Sequence, residues 1–492
     1  MPENHDIEKN ATEKIDAEKL SAKKLSADKI DADKLAADKP GADKTDTDKK
    51  NAAQFEKMTR TPILSLLISL SIPTILSMMI TNVYNMADTA FVGRLGTSAS
   101  GAVGIVFGFM AILQAVGFMF GQGCGSIMSR KLGAKDIPAA SQMASTGFFG
   151  ALFLSAIIAF ICYLRLDRIV YLLGSTETIA VYAKVYISYI LLAAPFLVTS
   201  FTMNNILRYE GKAALGTCGM MTGALLNIIG DPIFMFGFKM GIAGAGLSTA
   251  LSQIVSFCIL LSMFLRKKTQ TTLSLRLASF RPQVLGNIML TGFPSLLRQG
   301  LGSFATVLLN YVASAYGDSA IAGMSIVSRV SFFLLSFALG IGQGFQPISS
   351  YNYGAGKYDR VKKAYRITLI LAEALISVIT VIALIFSKDI IQIFRDDPEV
   401  IAVGTRALQL QIVAQVFMPL CMVTEMLMQS TGKRINAIIL SATRSGIFFI
   451  PALLILSRLR GLSGIQEAQP LAYLLSVFPA IILARSFFME HR

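Results

Sequence analysis

"LLNIIGDPIFMFG", residues 225–237, is the stretch whose reading decides the fold. It is apolar but for Asn227 and Asp231, and Pro232 directly follows the acid. A carboxylate in the middle of a membrane span costs roughly 2.5–3.5 kcal/mol on insertion scales, and an in-helix proline removes a backbone hydrogen bond and bends the helix. Other apolar runs along the chain are long enough to cross a bilayer as helices. The composition agrees: of 492 residues, 53% are hydrophobic and 15% charged, against about 25% charged in an ordinary soluble domain. The fold class expected is an all-α polytopic membrane protein.

Twelve transmembrane spans are predicted, at roughly 62–86, 99–127, 141–163, 180–207, 215–238, 243–265, 283–312, 320–346, 364–386, 400–430, 435–457 and 470–489. Residues 1–60 precede them as a low-complexity tail. From Glu13 a five-residue unit recurs in it (EKIDA, EKLSA, KKLSA, DKIDA). A period of five matches neither helix nor strand, so a disordered, mixed-charge tail is expected. It is no signal peptide, because no apolar core follows its charges before Pro62.

The net charge of +15 does not point to nucleic acid, because the tail holds 13 basic and 14 acidic residues and is nearly neutral. The excess lies in the body, mostly in short loops. Arg130, Lys131 and Lys135 follow span 2. Arg266, Lys267, Lys268, Arg276 and Arg281 follow span 6, and Lys357, Arg360, Lys362 and Lys363 follow span 8. The loops after spans 1 and 5 carry only Arg94 and Lys239. This asymmetry is the orienting charge of a membrane protein, and it predicts a cell-membrane protein with both termini cytoplasmic.

Five cysteines lie in or beside apolar segments with no CxxC pair, and read as packing residues. The two histidines, His5 and His491, lie at the chain ends, which leaves no His-based metal or catalytic set in the body. A membrane-embedded, lipid-modifying enzyme would need a clustered catalytic set. No GxxxxGK[ST] loop, HExxH or Ser-His-Asp set is visible, and no organic cofactor is expected.

The chain also repeats. At a displacement of 221 residues Pro73 falls on Pro294, Gly96 on Gly317, "GQG" 121–123 on 342–344 and "GA" 133–134 on 354–355. Gly211-Lys212 lands on Gly432-Lys433 at the same shift. The predicted organisation is a tail (1–60), a six-helix bundle (61–266), a cytoplasmic linker (267–282) and a second six-helix bundle (283–492). An even number of helices per half means that both halves enter the membrane from one side. Their pseudo-twofold axis then runs along the membrane normal, with a cleft between them as the natural substrate site.

Of the sixteen acidic residues beyond residue 60, Asp231, Glu373 and Glu425 fall inside predicted spans, and Asp88 falls at the end of span 1, whose bound is good to about four residues. Tyr84 precedes Asp88 by four residues, and Asn227 precedes Asp231 by four, so each acid has a neutral oxygen-bearing neighbour on its helix face. Two such acids brought together in a low dielectric repel, and accept a proton or a cation between them. The alternative is that each caps a helix end or bonds nearby backbone. Glu425 either faces the cleft or pairs with an in-span arginine, for which Arg298 and Arg329 are available. For Glu373 a structural role is expected. Pro73, in the first span, and Pro232 are candidate hinges. The GQG and GxxxG glycines read as close helix packing.

Two six-helix halves, "YNMADTAFVGRLG", "NIIGDPIFMFGFKMGIAGAGLSTALSQ" and "GQGFQPISSYNYGAGKYDRVKKA" together resemble the multidrug and toxic compound extrusion family of secondary transporters, in its bacterial multidrug branch. The resemblance covers about residues 55–490. It implies two bundles around a V-shaped cleft, and export of bulky, often cationic, drug-like compounds in exchange for H⁺ or Na⁺. It implies a first-half cation site at Asp88, Tyr84, Asn227, Asp231 and Thr249, with Tyr186 and Asn204 as the share of helix 4. A Na⁺ ion would sit at Asp88, Asn227, Asp231 and Thr249, and Pro73 would be the proline that bends. Members with second-half cation ligands carry acids on helices 7 and 8, where this chain has Arg298 and Arg329, which throws the weight onto the first half. A monomer is expected. The same broad architecture serves lipid-linked oligosaccharide flippases, for which Arg298 and Arg329 would supply a cationic groove.

Overall fold

A computed structural model describes residues 41–490. The chain divides into two compact units at Gln54 and Phe55. Of the first, the described residues are helical and belong to α1 (Gly41–Arg60). The tail expected to be disordered is thus helical from Gly41 onward, while residues 1–40 lie outside the described residues. The repeating unit gives way after residue 48 to "KKNAAQFEKMTR", rich in good helix formers. Glu56 and Arg60 pair at the helical i, i+4 spacing, 3.1 Å apart. Within the second unit Met58 is fully buried, and the Phe55 ring meets Tyr351 and receives the Lys135 ammonium.

The first half comprises α2 (Ile63–Gly93), α3 (Thr97–Gly133), α4 (Ile137–Leu164), the short α5 (Leu166–Leu172), α6 (Glu177–Tyr209), α7 (Ala213–Pro232, continued by a π-turn Ile233–Gly237) and α8 (Ile242–Leu265). The second comprises α9 (Pro282–Ala313), α10 (Asp318–Gly354), α11 (Tyr358–Ile385), the short α12 (Ser387–Phe394), α13 (Pro398–Gln415), α14 (Met418–Thr431), α15 (Arg434–Ala442), α16 (Phe449–Arg460) and α17 (Leu462–Glu490).

Among the described residues, 10 helices are long and apolar enough to cross a membrane, with α15 and α16 forming one of them through a π-turn. Helices α13 and α14 make an eleventh, bent by 49° between them. The twelfth is α9. Its 32 residues are long enough to span at about 1.5 Å per residue, but it is too polar to pass the same test. Its Thr291, Ser295 and Arg298 are buried against protein, so lipid never meets them.

The 221-residue repeat reappears as geometry. Helices α3 and α10, α4 and α11, α5 and α12, α6 and α13, and α7 and α15 each begin at that spacing. So do the turns: Gly211 (φ +80°) and Gly432 (φ +86°) end α6 and α14 in the left-handed region that glycine adopts freely. The halves also pack by the repeat. A Cβ at Gly133 would strike the Tyr351 carbonyl, and one at Gly354 the carbonyl of Arg130, which is the repeat mate of Tyr351. Gly123 meets Gly292 of α9, and Gly344 meets Ser71, the mate of Gly292, on α2.

These approaches sit toward the end of the bundle that carries the basic loops. The hydrogen bonds found between the halves among the described residues lie there too. They include Ser71 Oγ to the Ile341 carbonyl and Ser126 Oγ to the Gln429 and Ser430 carbonyls. The halves are closed at the basic end.

The segment between α8 and α9 is tied down. Ser145 Oγ donates to the Thr272 carbonyl, and the backbone N–H groups of Ser274 and Ser279 donate to Ser145 and Thr146 of α4. The buried Glu210 carboxylate accepts the N–H groups of Gln270 and Thr271, each at 2.9 Å, and the Thr271 hydroxyl. Lys212 reaches it at 3.6 Å, and burial holds this lysine below the usual ammonium range against the pull of Glu210.

Candidate functional site

Four helices of the first half converge on one polar cluster. Asp88, near the end of α2, is 1% exposed and Asp231, near the end of α7, is fully buried. Their carboxyl groups are neighbours in the same buried cluster. Tyr186 of α6 donates its hydroxyl to Asp88 Oδ2 at 3.0 Å. Asn227, one turn before Asp231, donates Nδ2 to Asp231 Oδ1 at 3.0 Å and to Thr249 Oγ1 at 3.2 Å. Ser248, beside Thr249 on α8, donates to the Asn227 carbonyl at 3.3 Å.

The local sequence explains the placement. Pro232 cannot donate to the Ile228 carbonyl, and the backbone widens into the π-turn straight after it, closed by Phe238 N–H to the Ile233 carbonyl at 2.9 Å. The small residues of "AGAG", 243–246, let α8 approach: a Cβ at Gly244 would strike the Phe234 backbone.

Three oxygens of this cluster are buried with no hydrogen-bond partner: Asp88 Oδ1, Asp231 Oδ2 and Asn227 Oδ1. No lysine or arginine forms a salt bridge with either aspartate among the described residues. A buried polar atom without a partner costs about 1–3 kcal/mol, more when charged. Orphaned acceptors on three helix-anchored side chains fit a hard monovalent cation or a shared proton. The Thr249 and Ser248 hydroxyls supply further oxygen.

Tyr186, Asn227 and Thr249 thus join the two acids. Tyr84 does not bond Asp88: it is buried one turn before it, but its ring lines a small cavity with Phe201, Met220 and Gln253. Asn204 lies 18 residues along α6 from Tyr186, about 27 Å at 1.5 Å per residue. Its neighbour is Gly216 at the other end of α7, so it stands outside the cluster. Ser248 was not anticipated; its only signal was its place beside Thr249. Pro73 lies inside an unbroken α2, and its carbonyl accepts the Thr217 hydroxyl at 2.9 Å.

In the second half the alternatives for Glu425 resolve. Arg298 Nη1 lies 2.7 Å from Glu425 Oε1, with side chains 5% and 2% exposed. Arg329 is exposed on α10, and forms no salt bridge with Glu425. Two further buried arginines escaped the sequence reading. Arg208 closes α6, and Arg444 sits in the π-turn between α15 and α16.

The sequence pattern of the MatE family matches the chain twice, at residues 73–233 and 294–454, the two matches standing at the displacement of the internal repeat. The chain is 28% identical over 414 residues to the "Multidrug export protein MepA" of Staphylococcus saprophyticus, covering 84% of this chain and 91% of that protein. It is also 28% identical over 432 residues to the protein of the same name from Staphylococcus aureus, covering 87% and 94%. Among solved structures, an "outward-facing conformation of a multidrug resistance MATE family transporter of the MOP superfamily" superposes with TM-score 0.83 at 24% identity, covering 88% of this chain and 98% of that one. The Vibrio cholerae MATE transporter VcmN in its bent form superposes with TM-score 0.81 at 21% identity, covering 87% and 98%.

Proposed function

This chain belongs to the MatE family, and on that premise we propose that it is a multidrug efflux transporter of the bacterial cell membrane. It exports small amphipathic, often cationic, compounds in exchange for a monovalent cation, H⁺ or Na⁺. The observation that carries the coupling is the meeting of Asp88 and Asp231 inside the first half, with orphaned acceptor oxygens around them. Two bare carboxylates at that approach repel, so the cluster holds together when it shares one positive charge and loosens when that charge leaves. Asp88 and Asp231 hold the cation, Asn227 and Thr249 orient the second acid, and Tyr186 fixes the first.

The ion gradient can drive transport only through a difference in affinity between two conformations. Charge uptake from the open side draws α2 and α7 together, with Pro73 as the hinge on α2, and narrows the cleft against substrate. Charge release at the basic side resets it. The loop charges support a cytoplasmic position for the basic end and both termini. The flippase alternative asks for a cationic groove, but Arg298 is neutralised by Glu425 and Arg329 lies apart from it.

The test is dye efflux from right-side-out vesicles with an imposed proton or sodium gradient, each applied alone at fixed pH. Wild-type protein should answer to one of the two. Asp88→Asn and Asp231→Asn should each abolish gradient-driven export at unchanged membrane insertion. Full export by both variants would remove the coupling role.

A further inference from the structure

The GQG pair, 121–123 and 342–344, does more than permit packing. In each copy the first glycine packs inside its own half: Gly121 meets Asn205 of α6, and Gly342 meets Met426 of α14, the repeat mate of Asn205. The second glycine packs across the seam, Gly123 on α9 and Gly344 on α2. The glutamine between them is turned to the opposite half, where each captures a guanidinium. Gln122 Oε1 of the first half accepts Arg298 Nη2 at 3.4 Å and Ser295 Oγ at 2.5 Å. Gln343 Oε1 of the second half accepts Arg208 Nη1 of the first. All four side chains are buried. The arginines are not repeat mates, so the repeat alone does not dictate the arrangement.

We infer that Gln122 and Gln343 are a paired latch that holds the basic end of the transporter shut and releases it when the halves rock apart. This rests on the transport reading above and adds residues to it. The chemistry suits a reversible bond. When the halves separate, neither guanidinium is stranded: Arg298 keeps Glu425, and Arg208 keeps Asn205 of its own half. What each loses is a neutral amide oxygen, which water can replace once the seam is wet. A carboxylate in the place of either glutamine would instead form a cross-half ion pair, whose separation costs far more. The remaining seam supports the same conformation. Ser126 Oγ bonds Gln429 and Ser430 backbone, and Gln429 Nε2 bonds Ser295 Oγ at 2.8 Å, beside Gln122.

The experiment reads the seam directly. Ser126→Cys is introduced into the full chain in nanodiscs, and a membrane-impermeant maleimide is applied with no gradient or drug present. Alkylation at position 126 is followed by mass spectrometry. A hydrogen bond to a charged group supports about a tenfold effect or more. Gln122→Leu and Gln343→Leu should therefore each raise the alkylation rate about tenfold, and the two together further. Gln343→Glu keeps a partner for Arg208 and should slow alkylation below the parent rate. Parent-like rates in both leucine variants, or faster alkylation in Gln343→Glu, would overturn the latch. If alkylation follows the expected order while no compound is exported, the latch stands and the multidrug reading falls.

Discussion

Removing Glu425 alone should damage the protein more than removing it together with Arg298. The pair is 2.7 Å apart with side chains 5% and 2% exposed. At an effective dielectric near 20 the gross attraction is about 6 kcal/mol, and desolvation of both ions offsets most of it. Taking away one partner leaves the other charge buried and unpaired, which costs about 3–5 kcal/mol. In Glu425→Leu, Arg298 retains only the long contact with Gln122. With an unfolding entropy of roughly 2 cal/mol/K per residue over the membrane body, each kcal/mol moves Tm by about 1 °C. The expected loss is then about 3–5 °C in a thermal melt of detergent-solubilised protein. Arg298→Met with Glu425→Leu replaces both ions by apolar groups of similar size and should return Tm to within about 1 °C of the parent. A double variant as unstable as the two single variants summed, or a single Glu425→Leu with an unchanged Tm, would refute the pairing as the reason for the buried charges.

Three other outcomes follow from separate parts of the molecule. Asn227→Ala should cripple gradient-driven dye efflux, whereas Asn204→Ala, about 27 Å along the helix from Tyr186, should leave it near the parent rate; equal loss in both would contradict the cluster described. Glu210→Ala removes the acceptor for two backbone N–H groups and the Thr271 hydroxyl, bonds worth about 1.5–3 kcal/mol each to a charged group, so tryptic cleavage after Arg276 should accelerate. Gly133→Val and Gly354→Val press on repeat-equivalent carbonyls of the other half, and overpacking of about 1–3 kcal/mol should lower Tm to a similar extent in both, while Gly104→Val, which meets open space, should not.

The parts of this fold legible from sequence were those governed by periodic or costly features. Long apolar runs gave the spans, and an exact residue displacement gave the two halves. The unfavourable placing of Asp88 and Asp231 in apolar sequence marked the two acids that the fold brings together. Tyr84 misled because i, i+4 spacing guarantees a shared helix face but not a shared contact, and its phenol turns to a cavity lined by α6, α7 and α8. Asn204 misled because the register of a long helix needs a fixed point, and without one an 18-residue offset is invisible. The helix at Gly41–Arg60 was missed because the five-residue period masked a change of composition at its end. The GQG contacts were beyond reach of sequence, since which half a glutamine faces depends on the crossing of two bundles.

The two buried charge clusters divide the labour of the molecule. In the second half Glu425 has its counter-charge supplied permanently by Arg298, so it has no vacancy for a cation and no reason to respond to a gradient. In the first half no equivalent neutralisation is found among the described residues: Asp88 meets Tyr186, and Asp231 meets Asn227, which bonds Thr249 and Ser248 in turn, and none of these brings a positive charge. On the proposed coupling, the same low dielectric that makes the first arrangement inert makes the second dependent on an ion from outside. An arginine placed next to the aspartates should therefore convert the proposed coupling site into a structural one. Thr249→Arg, at the side chain that Asn227 bonds beside Asp231, tests that. If the guanidinium is accommodated, export should lose its dependence on the driving ion together with its rate, and Tm should hold or rise. Ion-dependent export persisting in that variant would mean that the charge which drives the cycle enters somewhere else.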